Sequence, residues 1–212
     1  MILPGLIIVS GLMRRSTLLI SGLLLLANLA GCVSRQVQTL ADLPLPATPA
    51  GNCCWQVLQQ LDIHYGEQAY ALTGALVQAK TGATLVLLDP VGRRLLSVQQ
   101  QGDQLQTYRA PELPEGLPER FLLASSMLVW WPLADWQSAL QQSPEWTLTT
   151  SATSRTLNYR GRAIIRADYP PASAAVVDGL TKQIVAQPGQ VRVVHQQQPM
   201  SIAISTGRWE PL

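Results

Sequence analysis

Charged and chemically reactive side chains are scarce in this sequence. Only 13% of its 212 residues are charged, and it contains two histidines, three cysteines and one phenylalanine. It has no Gly-x-Ser-x-Gly elbow, no phosphate-binding loop and no HExxH motif. These absences remove support for the enzyme classes that carry such motifs. They predict a protein that is not an enzyme and that needs no cofactor.

The residues that remain for a catalytic site are spread along the chain. His64 and His195 each lie in a predicted strand, where we expect hydrogen-bonded structural histidines and not general bases. Asp135 and Asp168 could be parts of a catalytic triad, but the spacing of the residues does not indicate which side chain would be the nucleophile. No histidine lies at metal-ligand spacing from another ligand. We therefore predict no catalytic residue and no metal site.

The chain begins with the pattern of a secretory signal. Arg14 and Arg15 precede an apolar run at 18–26, and the small-residue sequence Leu29-Ala30-Gly31 leads to Cys32. This sequence resembles the bacterial lipobox, in which the chain is cut before a cysteine that then carries acyl chains. The resemblance implies that Cys32 is lipidated. The alternative is an uncleaved N-terminal anchor helix with an incidental cysteine.

The lipobox divides the chain into three parts. Residues 1–31 are the predicted signal peptide, and we expect its true start at Met13 because an apolar stretch precedes the arginines. Residues 32–52 form the lipidated N terminus and a proline-rich tether, and residues 53–212 form a single domain. Two or three acyl chains make membrane attachment effectively permanent. Bacterial lipoproteins that stay in the inner membrane usually have aspartate after the lipidated cysteine, whereas this sequence has Val33. The resemblance therefore implies a periplasm-facing protein of the outer membrane.

The net charge of +2 belongs to the predicted signal alone. Once Arg14 and Arg15 are removed, 13 basic residues face 13 acidic ones. A neutral domain whose lysines are Lys80 and Lys182 has no electrostatic footprint for nucleic acid. We expect no nucleic-acid partner.

Cys53 and Cys54 are adjacent in a chain that we expect to be exported to an oxidising compartment. Alternation along a strand would point the two side chains to opposite faces, which favours buried or reduced thiols. A vicinal disulfide is the alternative, and the sequence leaves both open.

Short runs of apolar and polar residues, separated by Gly, Asp and Pro turns, indicate an antiparallel meander. A meander of roughly ten strands is expected to curl towards a barrel, which removes its edges. The fold class is therefore mainly β, with helices in an α+β arrangement. The predicted strands are 54–65, 68–78, 83–88, 94–99, 104–109, 146–150, 155–159, 163–169, 183–186, 191–196 and 201–206.

Two amphipathic helices are predicted in the middle of the sequence. Over 119–130, apolar residues recur at helical spacing after Pro118, which suits a first helical turn. A second helix is predicted over 133–142, after Pro132. Both helices must bury their apolar faces on the sheet.

The segment 117–124 (LPERFLLA), followed by Trp131-Pro132-Leu133, resembles the central motif of a family of uncharacterised bacterial lipoproteins. Members of that family are often encoded beside fatty-acid-synthase-like genes for aryl polyene pigments, and the family is similar to LolB, the outer-membrane lipoprotein receptor. The resemblance implies a curved, half-open antiparallel barrel of about ten strands with a helical lid, as in LolA and LolB. LolB works through a protruding apolar loop residue, and the turn at 89–92 offers only Val91, which weakens the case for that receptor activity.

A curved sheet lidded by helices could enclose an apolar slot, the usual form of a small-ligand pocket. The alternative is that the same residues form an ordinary closed core. The predicted ligand-binding residues are Leu72, Leu87, Leu96, Val98, Phe121, Leu122, Trp131, Trp136 and Ile165.

Tryptophan is abundant, with six residues, and Trp130-Trp131 is the densest point. Tryptophan combines apolar bulk with one donor and favours interfaces. A membrane-facing or cargo-facing role for that corner is one hypothesis, and core packing is the other.

The sequence therefore predicts an outer-membrane lipoprotein that binds or hands over a lipidic cargo on the periplasmic side. The cargo would be a lipoprotein acyl chain, of the palmitate type, or an aryl polyene-type lipid. The expected partners are the outer membrane, through the anchor, the cargo itself and a periplasmic carrier protein. The alternatives are a structural accessory that docks an envelope transport complex and, less readily, a lipid-modifying hydrolase.

Overall fold

The computed structural model describes residues 40–47, 53–170 and 190–212. One compact unit, Leu43–Leu212, contains the ten strands and the two helices between them. The described part of this unit forms one sheet with its own core, which is the organisation of a domain. The elements are β1 Trp55–Tyr65, β2 Gln68–Ala79, β3 Gly82–Leu88, β4 Arg94–Gln101, β5 Gln104–Arg109, α1 Glu119–Trp130, α2 Leu133–Leu140, β6 Trp146–Ser151, β7 Ser154–Tyr159, β8 Arg162–Asp168, β9 Gln190–His195 and β10 Met200–Pro211.

The ten strands form one antiparallel sheet in the order β5-β4-β3-β2-β1-β10-β9-β8-β7-β6. Each half is a meander, and the halves join where β1 pairs with β10, from Trp55 opposite Pro211 to Tyr65 opposite Met200. Among the described strands, β5 and β6 are the two edges, so the sheet stays open on the side where α1 and α2 connect the halves. This confirms the predicted half-open barrel of about ten strands with helices.

Alternation along the strands builds one buried face. In β1, Trp55 and every second residue after it up to Ile63 are buried, while the residues between them are half-buried or exposed. Strands β2 and β3 show the same period. Successive side chains of a strand point to opposite faces, so the sheet has one face in the core and one towards solvent.

The two edge strands carry polar residues. Strand β5 is exposed or half-buried along its whole length, and its sequence is Gln-Leu-Gln-Thr-Tyr-Arg. Strand β6 is buried only at Trp146, and apart from Leu148 it continues with threonines and a serine. Polar, short edge strands discourage pairing with other chains.

Helix α1 is buried on all sides. Its ten residues Phe121–Trp130 are buried without interruption. None of the ten is charged, and a helix that is apolar all round is expected to lie in the core. The predicted bounds of α1 are confirmed. The prediction that it buries only one face was wrong, because every residue from Phe121 to Trp130 is buried. Helix α2 does bury one stripe, Trp136 and Leu140, and ends two residues before the predicted end.

A disulfide joins Cys53 and Cys54, which is the second of the two alternatives left open by the sequence. Strand β1 begins only at Trp55, so the alternation that favoured separate thiols does not reach the pair. Cys53 is exposed and Cys54 half-buried, which corrects the expectation of buried thiols.

Part of the expected tether belongs to the domain. Leu43 is fully buried and Leu45 nearly so. Gln100 donates a hydrogen bond to the carbonyl of Pro46, and Arg120 donates one to the carbonyl of Leu43. Residues 43–47 therefore pack on the domain, which differs from the free spacer expected over 32–52.

Several predictions concern residues outside the described ranges: the signal peptide 1–31, the lipidated Cys32 and the strand at 183–186. Within the described ranges, neither helix is long and apolar enough to cross a membrane.

Candidate functional site: the interior filled by helix α1

The nine predicted ligand-binding residues all lie in the core. Each is at most 3% exposed, and they come from four strands, both helices and the residue that follows α1. Leu87 and Leu96 are direct cross-strand partners. The nine residues therefore share one interior. They are Leu72, Leu87, Leu96, Val98, Phe121, Leu122, Trp131, Trp136 and Ile165. Their role in binding a ligand stays a prediction.

A buried glutamine on β1 holds the middle of α1. Gln59 is 2% exposed. Its Nε2 donates to Ser126 Oγ at 3.1 Å, and its Oε1 accepts from Trp130 Nε1 at 3.0 Å. Opposite it lies Gly74, where a Cβ would be 2.2 Å from Leu61 Cδ1 and 3.2 Å from Gln59 Cγ. The missing side chain of Gly74 makes room for this contact between sheet and helix.

The C-terminal end of α1 is capped by side chains from outside the helix. Arg155 on β7 is 2% exposed and donates from Nη1 to the carbonyls of Leu128 and Trp131, at 2.9 and 2.8 Å. Tyr169 OH also donates to the Leu128 carbonyl, at 2.9 Å. A cation at this position satisfies the last carbonyls of the helix and complements its dipole. Burial raises the pKa of Tyr169 to about 12, so its hydroxyl remains a donor at neutral pH.

The segment 110–118 connects β5 to the N-terminal end of α1. Arg109, the last residue of β5, binds Glu119 in the first turn of α1, with Nε to Oε1 at 3.1 Å. The Arg109 guanidinium also donates to the carbonyls of Pro114 and Leu117. Tyr65 OH donates to the Gly116 carbonyl at 2.9 Å. The segment is therefore fixed to the ends of β1 and β5.

The tryptophan pair lies in the core. Trp130 and Trp131 are each 1% exposed. The ring of Trp55 lies 6.2 Å from that of Trp130 and 5.2 Å from that of Trp131, centroid to centroid. This burial supports core packing, the second of the two hypotheses for that corner.

His195 brings a polar group to the interior at the other end of the helix. It occupies the last inward position of β9, is 3% exposed, and its ring centroid lies 5.3 Å from that of Phe121. Its Nδ1 accepts a hydrogen bond from the main-chain N–H of Gln197 at 3.1 Å. Its Nε2 has no partner among the described residues. Burial lowers the pKa of His195 to about 4, so the ring is neutral at neutral pH.

Residues 56–208 match the sequence profile of a family described as Protein of unknown function (DUF3261). The chain belongs to the DUF3261 family. The match spans nearly the whole domain, from β1 into β10, and includes the helix-filled interior. No curated protein matches the sequence. Among solved structures, the DUF3261 domain is similar to a LolA superfamily protein from Nitrosomonas europaea, at 8% identity and a TM-score of 0.38, covering 84% of this chain and 93% of that chain.

The DUF3261 domain separates the residues that had been considered for catalysis. His64 is exposed on the outer face of β1, whereas His195 is buried. Asp168 forms an ion pair with Arg166 at 2.8 Å that is largely open to solvent. Asp135 lies in the first turn of α2, where burial raises its pKa. Within the described ranges, no three His, Cys, Asp or Glu side chains lie close enough to hold a metal ion.

Sequence reasoning missed Gln59, Arg155 and Tyr169, which hold α1 in place. For Gln59 a signal was present, because it interrupts the apolar residues at the inward positions of β1. Arg155 gave no such signal, since a polar residue near a strand end is ordinarily exposed.

Acidification should destabilise the DUF3261 domain through His195. Its pKa is about 4 in the folded state and about 6.5 when unfolded, so between these values the unfolded chain binds more protons. The stability is then fully present above pH 6.5, and about 3 kcal/mol of it is lost by pH 4. Urea unfolding of wild type and of His195→Gln at several pH values measures this term. The stability difference between the two proteins should change by about that amount, and a constant difference would contradict the assignment.

Proposed function

We propose that this protein binds a lipidic cargo in the interior that α1 occupies and hands it on without covalent chemistry. The cargo is a lipoprotein acyl chain or an aryl polyene-type lipid. The observation that carries the proposal is α1 itself, a helix with ten consecutive buried residues inside a sheet that is open between β5 and β6.

The contacts of α1 support the proposal that this helix can leave the interior. The hydrogen bonds described between α1 and the sheet are made through the side chains of Gln59, Arg109 and Arg155. Tyr169, which follows β8, adds one to the Leu128 carbonyl. The described strands on either side of the opening pair with one another and not with the helix. Helix α1 can therefore leave the interior without breaking a pair of strands, and the apolar face of the sheet is then free to cover an acyl chain.

The experiment is a search for bound lipid in residues 33–212, which contain the whole compact unit. Purified protein should carry extractable lipid in native mass spectrometry, or take up a fluorescent acyl probe that palmitate displaces. Protein that is free of lipid and takes up no probe at micromolar concentration would refute the proposal.

The proposed location is the periplasmic face of the outer membrane, through acyl chains on Cys32, with a periplasmic carrier protein as the partner in transfer. The sequence Leu29-Ala30-Gly31-Cys32 supports this part of the proposal. Replacing Cys32 with serine should leave the chain unprocessed or release it from the membrane fraction. Normal outer-membrane retention of the variant in fractionation would contradict the anchor.

A further inference from the structure

The buried face carries one row of side chains that crosses the joined halves of the sheet beneath the N-terminal end of α1. Tyr65 pairs with Met200, Met200 with His195, and His195 with Ile165. Met200, His195 and Ile165 are all buried, and Phe121 of α1 stacks near His195. His195 is thus a polar side chain, about 97% buried, set among apolar neighbours on three elements.

The hydrogen bond at Nδ1 defines what the other nitrogen of His195 can bind. Nδ1 accepts from the N–H of Gln197, so in the neutral ring the proton sits on Nε2. Nε2 is therefore a donor, and within the described part of the chain it meets no acceptor. Buried donors in native proteins are nearly always satisfied, so a donor that meets no acceptor in the interior is a candidate for binding a ligand there.

We propose that His195 Nε2–H binds the polar head of the cargo, and that this head is the carbonyl oxygen of an acyl ester or amide. The inference rests on the proposed function and specifies the chemistry of its ligand. An acceptor is required because Nε2 donates. A neutral carbonyl is required because Ile165 and Met200 beside the ring are apolar and remain in the sheet when α1 leaves, and a carboxylate buried there would need a charged partner.

The position of His195 also orients the cargo. The row at His195 ends at Tyr65, whose OH donates to the Gly116 carbonyl in the segment 110–118. The Trp55 end of β1 is ten residues away, about 33 Å along the strand. The head would lie at the N-terminal end of α1, and the chain would extend towards Trp55 along the path of α1, which is about 18 Å long. That length suits an extended long acyl chain.

The test compares three probes of equal chain length on residues 33–212: a hydrocarbon without a carbonyl, an acyl methyl ester and a free fatty acid. Wild type should bind the ester most tightly. His195→Phe keeps a ring of similar volume and removes the donor, so it should weaken ester binding about fivefold to tenfold and leave hydrocarbon binding unchanged. His195→Gln keeps a donor and should restore most of the ester affinity. His64→Phe, on the exposed outer face of β1, should change nothing.

Wild-type protein gives a second readout that depends on no variant. The Nε2 nitrogen resonance of His195 should shift on ester binding and stay in place on hydrocarbon binding. If His195→Phe keeps the ester preference, or if the resonance does not move, the inference is overturned while cargo binding stands. If the free fatty acid binds most tightly, the inference that the bound head is a neutral carbonyl is overturned. If none of the three probes binds to wild type, the proposed function falls and this inference falls with it.

Discussion

Replacing Trp130 with alanine should lower the free energy of unfolding by about 4 kcal/mol. Trp130 is 1% exposed and packs 6.2 Å from the ring of Trp55, so truncation leaves a large cavity at the end of α1. The change also removes the Nε1–H that satisfies Gln59 Oε1 at 3.0 Å, and a buried acceptor without a donor adds to the cost. Both losses fall on the contact between α1 and the sheet.

Equilibrium unfolding in urea measures the effect. Leu58→Ala is the control, because Leu58 is the neighbour of Gln59 on the same strand and is 44% exposed. It should cost less than about 1 kcal/mol. Trp130→Phe separates volume from hydrogen bonding and should fall between the two. A loss below about 1 kcal/mol for Trp130→Ala would mean that α1 is not packed in the interior as described.

Replacing Gly82 with alanine should also cost about 4 kcal/mol. Gly82 opens β3 with a φ of +147°, a backbone region that is essentially closed to other residues. A Cβ there would lie 1.8 Å from the main-chain oxygen of Gln100 on β4. Because that oxygen belongs to a strand and not to a flexible side chain, the two strands must separate to admit the methyl group.

Gly92→Ala is the matched control, since Gly92 also has a positive φ, of +83°, but nothing lies within 4 Å of its Cβ position. That variant carries the dihedral cost alone, about 1 kcal/mol. Thermal or urea unfolding of both variants should separate them by about 3 kcal/mol. Equal losses would show that β3 and β4 do not approach each other as closely as at Gly82.

Most of the strand pattern could be predicted because turn residues and alternation are local signals. The bounds of β5 and α1 were predicted to the residue, and the other described strands of the first half to within two. Strand β10 was predicted to end at 206 but continues to Pro211. Gly207 and Pro211 resemble strand ends, yet the long partner β1 pairs with this region, a tertiary effect that the local sequence does not carry.

The pairing of β1 with β10 is a second feature that local patterns could not supply. A meander predicts that neighbours in sequence pair, whereas here the first and last strands of the described sheet also pair with each other. The general expectation that the sheet curls towards a barrel was correct, and the break between β5 and β6 leaves it half-open.

The candidate site could be predicted in its apolar part and not in its polar part. Alternation placed Leu72, Leu87 and Leu96 on the buried face, where they are found. The contacts of Gln59, Arg155 and His195 with α1 depend on which strands face the helix, and a single sequence does not contain that information. Ser125 and Ser126 are likewise fully buried, although serine is usually a surface residue.

The central claim is that cargo takes the interior that α1 occupies. Amide hydrogen exchange of residues 33–212, with and without a saturating acyl ester, tests it most directly. The account predicts that the ester speeds exchange across α1, Glu119–Trp130, while amides of β1 and β10 at the centre of the sheet stay protected. Ester binding that leaves exchange in α1 unchanged, or that slows it, would contradict the account.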